Sequence, residues 1–146
     1  MSTRLECEQT IPQFGVEGVI ETWEAQPERV TNVIRTTQRW GVIFTWTQSG
    51  PLCWFLDAQW HLKISLEKYG PGEAPEINEK VVDLVRTDPH TYTGSVEIDS
   101  GVLSPGDYML VAALTMTDST GNIPLPLGAY AEGPKIHIYN PGPLQP

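Results

Sequence analysis

The sequence predicts an all-β fold: a two-sheet antiparallel β-sandwich of about eight strands. Three observations predict it. Short runs alternate apolar and polar residues with period two, as strands with one buried face do. Thirteen glycines and thirteen prolines in 146 residues break the chain at short intervals, above the usual shares of about 7% and 5%. No stretch of about ten or more residues carries capped helical spacing; Pro75 to Val85 has room for one helical turn at most. One domain is expected, with residues 1–15 as an N-terminal arm or edge strand, 16–140 as the sandwich and 141–146 as a Pro-rich extended tail.

Taken in order, Val16 to Glu24 places Val19, Glu21 and Trp23 on one side and Ile20, Thr22 and Glu24 on the other. Neither side is wholly apolar, which suits an outer strand. Gln26-Pro27-Glu28 breaks the run, and Val30 to Thr36 reads as the next strand. Trp40 to Thr47 then puts Trp40, Val42, Phe44 and Trp46 on one face, and Gln59 to Glu67 puts Trp60, Leu62, Ile64 and Leu66 on one face. Four of the five tryptophans lie between Trp40 and Tyr69, so this pair is expected to floor the core. Gly70 to Pro75 is a loop by composition, and Lys80 to Arg86 a further strand. After Asp88-Pro89, Thr91 to Ile98 alternates with Tyr92, Val96 and Ile98 inward and Gly94 as a bulge.

Tyr108 to Thr117 is apolar on both faces, which predicts a central strand covered on both sides. Ile123 to Gly128 carries two prolines and is expected to be an apolar loop. Ala129 to Tyr139 closes the set; its Gly133-Pro134 predicts an edge position or a bulge, because proline cannot donate to the ladder.

The run Gly101-Val102-Leu103-Ser104-Pro105-Gly106-Asp107-Tyr108-Met109-Leu110 resembles the start of the penultimate strand in immunoglobulin-like and fibronectin type III-like domains. In those families a tyrosine there anchors the corner by bonding its hydroxyl to nearby backbone. Trp46 and Trp60 are similarly placed to pack inside such a sandwich. The resemblance covers roughly residues 30–140 and is one of superfamily, without the paired cysteines of antibody-type domains. A fold of this kind carries little functional information.

Charge excludes some functions. Eighteen acids against nine bases leave a net charge of −9, which argues against binding a nucleic-acid backbone. Glu6 to Glu28 holds six glutamates without a Lys or Arg, and six more acids separate Arg86 from Lys135. These stretches are a solvated surface, or a patch that steers a basic partner. No window approaches the ~18 apolar residues of a membrane span, and the N-terminal residues lack a signal-peptide core. Cytoplasmic localisation is the expectation, with Cys7 and Cys53 as separate reduced thiols in preference to a single bridge between them.

No catalytic, cofactor or metal set emerges. His61, His90 and His137 have no His or Cys partner at ligand spacing, and are expected at the solvent or an edge. Asp118, Thr120 and Asn122 have the look of a calcium loop but lack its further carboxylates, so a hairpin turn is expected. No nucleophile–base pair can be named.

The informative oddity is the connector Ser49 to Asp57, where Leu52-Cys53-Trp54-Phe55-Leu56 is apolar throughout. Either Leu52, Trp54 and Leu56 cap the open end of the core, or Trp54 and Phe55 anchor a partner. Leaving such side chains in water forgoes roughly 1.5–3 kcal/mol of burial apiece. The expected interface comprises Leu52, Trp54, Phe55 and Leu56, with Ile123, Leu125, Leu127 and Tyr130 from the second apolar loop and His137 and Tyr139 from the last strand's edge. The expected function is a non-catalytic module binding a protein or peptide, a basic one being favoured, and forming a homodimer. One alternative is a carbohydrate or small-molecule module stacking on Trp40, Trp54 or Trp60. The other is a small enzyme with a pocket between the sheets.

Overall fold

The computed structural model describes residues 2–9, 11–25 and 28–141, without the side chains of residues 9 and 28–30. Residues 142–146, most of the expected Pro-rich tail, and the Gln26-Pro27 break lie outside the described residues. Among the described residues eleven strands form two facing sheets: β1 (Thr3–Arg4), β2 (Glu6–Gln9), β3 (Gly15–Ala25), β4 (Glu28–Val30), β5 (Val33–Arg35), β6 (Trp40–Ser49), β7 (Ala58–Lys68), β8 (Lys80–Asp83), β9 (His90–Ile98), β10 (Gly106–Asp118) and β11 (Pro124–Tyr139). The first sheet runs β1-β3-β6-β9, with β4 also on β3; the second runs β2-β11-β10-β7-β8, with β5 also on β11. Among the described residues every strand pairing is antiparallel except β5 with β11. This is an antiparallel β-sandwich of the immunoglobulin/fibronectin III kind.

The core follows from the alternation. Trp40, Val42, Phe44 and Trp46 of β6 face Trp60, Leu62 and Ile64 of β7, and all are buried. Trp46 stacks on Tyr92 (centroids 4.9 Å, 11°) and meets Trp60 edge-on (5.9 Å, 70°), arrangements worth roughly 0.5–1.5 kcal/mol per pair beyond area burial. Tyr108 donates its hydroxyl to Ser104 O at 2.7 Å, the corner bond that the resemblance implies. Gly94 is not a bulge, because β6 and β9 pair without a break from Gln48↔His90 to Trp40↔Ile98. A side chain at Gly94 would come 3.0 Å from Leu62 Cδ2 and press on the Trp46 ring. The glycine lets the core crowd against the strand.

The surplus over eight strands comes from short pieces that bridge the sheets at one open side. Strand β1 pairs with β3, and two residues later β2 pairs with β11, so Leu5 plugs the gap at 2% exposure. The 28–35 segment repeats the move. Strand β4 pairs with β3 and β5 with β11, with Ile34 fully buried between them. The single strand expected over Val30 to Thr36 is therefore split between two sheets. Glu24, buried on the core face of β3, accepts bonds from the Arg35 backbone N–H (3.1 Å) and guanidinium (2.9 Å). On this side of the sheet β3 is edged by β1 and β4 rather than left bare.

Other expectations change too. Ile123 to Gly128 is not a loop: Pro124 opens β11, and a register shift opposite Thr115–Thr117 absorbs Pro126 where no ladder donor is required. A second shift, between Met109 and Val111, falls at Gly133-Pro134, so the bulge reading holds there. Strand β10 is central, yet only its Tyr108–Met116 face is buried; Met109, Val111 and Ala113 are half-covered. Strand β8 stops at Asp83 because the backbone beyond it turns to Gln48, whose amide nitrogen donates to Val85 O (2.6 Å) and Thr87 O (2.9 Å). The helical turn that the chain does form is at Pro51–Trp54, not after Pro75.

Candidate functional site

The apolar connector is held from its backbone outward. Gly50 has φ +104°, and a side chain there would run into the Gln13 carbonyl. Pro51 then opens a 3-10 turn over Pro51–Trp54, its fixed φ suited to a first helical position. Leu52 N donates to Gln13 O (3.2 Å), Phe55 N to Leu52 O (3.0 Å) and Leu56 N to Leu52 O (3.3 Å), and Gly50 N donates to Asp88 Oδ1 at 2.9 Å. Cys53 points inward, fully buried, and Leu52 and Leu56 pack half-buried against the core. The two sequence readings thus divide the connector between them. Leu52, Cys53 and Leu56 cap the core, while Trp54 is 52% and Phe55 77% exposed.

The turn from β10 to β11 sits beside this connector, since Asp118 pairs with Ala58 and Ser119 Oγ donates to Asp57 Oδ2 at 3.1 Å. It is a hairpin turn, organised by Asp118, whose Oδ1 accepts from Thr120 Oγ1 (2.8 Å), Asn122 N and Ile123 N (both 3.2 Å). The Thr120 hydroxyl foremost, then the backbone N–H groups, hold the Asp118 carboxyl below the usual range against some desolvation. The turn delivers Ile123 to the surface at 59% exposure. From the third side, Arg86 Nε donates to Leu56 O (3.1 Å) and its guanidinium lies 3.6 Å from Asp57. Trp54, Phe55 and Ile123 therefore stand at one end of the sandwich on a backbone pinned by three neighbouring segments.

The other residues expected at the interface do not join them. Leu127 is buried at 5% exposure, and Leu125 is half-buried against the core. Tyr130 is exposed, but on the outer face of the second sheet, opposite Ala113 and Glu6. His137 and Tyr139 lie at the opposite end of β11, where His137 pairs with Asp107 at the start of β10. There His137 Nδ1 meets Asp107 Oδ1 at 2.6 Å and Lys135 reaches Asp107 at 3.4 Å. The edge they were expected to offer is occupied by β5, paired in parallel with His137–Tyr139. A strand from a partner cannot add there. Of the tryptophans nominated for stacking, Trp40 (2%) and Trp60 (0%) are buried, leaving Trp54.

Two constellations escaped the sequence. On the outer face of the first sheet, a shallow groove of about 480 Å³ is lined by Trp23, Arg39, Ile43, Thr93, Ser95 and Glu97 among others. Arg39 lies 5.8 Å over the Trp23 ring and 3.5 Å from Glu97, so the aromatic face is already covered by a cation. Trp23 was readable as outward from its alternation with Ile20 and Thr22, but its partner Gly41, which lets the indole lie flat, needed the register.

The second is a carboxylate–imidazole–hydroxyl line: Glu79 Oε1 to His61 Nδ1 at 3.1 Å, and His61 Nε2 to Thr117 Oγ1 at 2.8 Å. The expectation of a solvent-facing His61 is corrected, since its side chain is 8% exposed. The spacing suits proton transfer between a base and a hydroxyl. Both ring nitrogens are engaged, however, and Thr117 Oγ1 also lies 3.0 Å from Asp118 O, to which it donates. Its visible effect is to tie the 70–79 segment to the second sheet, with Lys63 3.7 Å from the other Glu79 oxygen. Cys7 and Cys53 are both free thiols, and no group of three or more His, Cys, Asp or Glu among the described residues could hold a metal ion.

No protein-family model, curated protein or solved structure matches the chain. The fold class therefore rests on the sheet topology and the tyrosine corner.

Proposed function

We propose that this chain is a binding module that engages a protein or peptide partner through the end of the sandwich bearing Trp54, Phe55 and Ile123. The observation that carries it is the exposure of Trp54 (52%) and Phe55 (77%) on a connector whose backbone is pinned. A preorganised aromatic pair loses little freedom on contact, which is what an anchor residue needs. By analogy of fold alone, immunoglobulin variable domains also recognise ligands with loops clustered at one end of the sandwich. The homodimer expected from the sequence is the competing occupant of the same surface.

The test is capture from an extract of the native host with immobilised wild type and with a Trp54→Ser, Phe55→Ser variant. At least one retained protein should be lost with the variant while the variant keeps its fold by circular dichroism. Identical retained sets would contradict the proposal.

A further inference from the structure

The charge around the exposed end is one-sided. Asp57 belongs to the connector, Asp88 accepts from Gly50 N, Asp118 starts the hairpin turn, and Asp83 closes β8 opposite Gln59. Against these four acids stands, among the described residues, one arginine, Arg86, already within reach of Asp57 at 3.6 Å. His90, at the same end opposite Gln48, is turned onto the Tyr92 ring (4.5 Å, 77°).

We infer that the partner of this surface is a basic segment of another protein: an aromatic or aliphatic anchor flanked by Lys or Arg, seated on Trp54, Phe55 and Ile123 within an acidic rim. The inference rests on the proposed function of that surface and narrows it. Two occupants compete, and charge decides between them. A second copy meeting the first through a two-fold axis would set this rim against itself, and each chain brings a net charge of −9. Like charges facing across an interface cost affinity and slow encounter. A segment with Lys or Arg beside an apolar anchor meets complementary charge at the rim and apolar surface at the centre, the arrangement of stable interfaces.

The test is selection of phage-displayed random dodecapeptides on the wild-type protein, with the best peptide then made synthetically and followed by fluorescence anisotropy. Enriched peptides should carry an apolar anchor flanked by Lys or Arg. The synthetic peptide should bind Asp57→Asn, Asp83→Asn protein about tenfold more weakly, and lose affinity by a similar factor between low and high salt. It should also fail on Trp54→Ser, Phe55→Ser protein. Neutral or acidic peptides that depend on Trp54 and Phe55 would keep the surface and overturn the basic partner. Concentration-dependent self-association abolished by the double serine variant would overturn it in favour of a second copy. No enrichment, or enrichment indifferent to Trp54 and Phe55, would overturn both the partner and the surface.

Discussion

Tyr92 donates its hydroxyl to Gln48 Oε1 at 2.6 Å and accepts from Val85 N at 2.9 Å. With the Gln48 amide bonded to Val85 O and Thr87 O, this closes a circuit between β6, β9 and the 84–87 segment. Gln48 is fully buried and Tyr92 nearly so, so the segment that carries Arg86 and Asp88 toward the connector is fixed by two buried polar side chains.

Tyr92→Phe should therefore cost more than a surface hydroxyl would. It leaves the buried Gln48 amide oxygen without its donor, at about 1–3 kcal/mol, while the Val85 N–H, on a residue 41% exposed, can turn to water. Denaturant unfolding should show a loss of roughly 1–3 kcal/mol. A change below the scatter of such measurements would contradict the circuit.

Tyr108→Phe removes the corner bond to Ser104 O, a carbonyl on an exposed residue that water can reach. The loss should be smaller, about 1 kcal/mol, and its comparison with Tyr92→Phe in the same assay separates a rim hydroxyl from a sealed one.

Gly94→Ala tests the close approach of β9 to the core. The added methyl would sit 3.0 Å from Leu62 Cδ2, so Leu62 or the strand must shift. Overpacking of this kind costs about 1–3 kcal/mol, read as a lower unfolding midpoint. A neutral or stabilising result would show that Leu62 yields freely.

The acid limb of stability has a sign fixed by two carboxylates. Asp118 is held low by the Thr120 hydroxyl and backbone N–H groups, and Asp107 by His137 first and then Lys135. A carboxyl lowered in the folded state contributes stability present above the ordinary carboxylate range and lost as pH falls through the lowered value. Asp118→Asn should flatten that part of the curve in acid titrations monitored by fluorescence, modestly because the group is exposed. On the alkaline side, burial pushes the Tyr92 hydroxyl and the Cys53 thiol up. The unfolded chain releases those protons first, so stability should fall as pH climbs past ordinary thiol and phenol values. Unchanged limbs would contradict these assignments.

What the sequence made legible was whatever period two encodes. The inward faces of Trp40–Trp46 and Trp60–Ile64, and the tyrosine corner at Tyr108, follow from alternation and one local motif. What it hid depends on pairing across the sandwich. Nothing in Val30 to Thr36 announces that the chain crosses between sheets from Val30 to Val33, and the prolines of Ile123 to Gly128 read as a loop because the bulge that accommodates them lies in the register with Thr115–Thr117. The covering of the His137–Tyr139 edge by β5 was invisible for the same reason. The connector was legible as apolar but not as divided. Which of its side chains turn inward follows from the 3-10 turn that Gly50 and Pro51 set up.

Trp54 and Phe55 belong to the surface rather than the core, and equilibrium denaturation of the Trp54→Ser, Phe55→Ser variant measures this most directly. With Phe55 77% and Trp54 52% exposed, the variant should lose about 1 kcal/mol or less, near the range of surface substitutions. A loss of about 3–5 kcal/mol for either residue alone, the cost of truncating a buried aromatic, would place them in the core and contradict the binding surface.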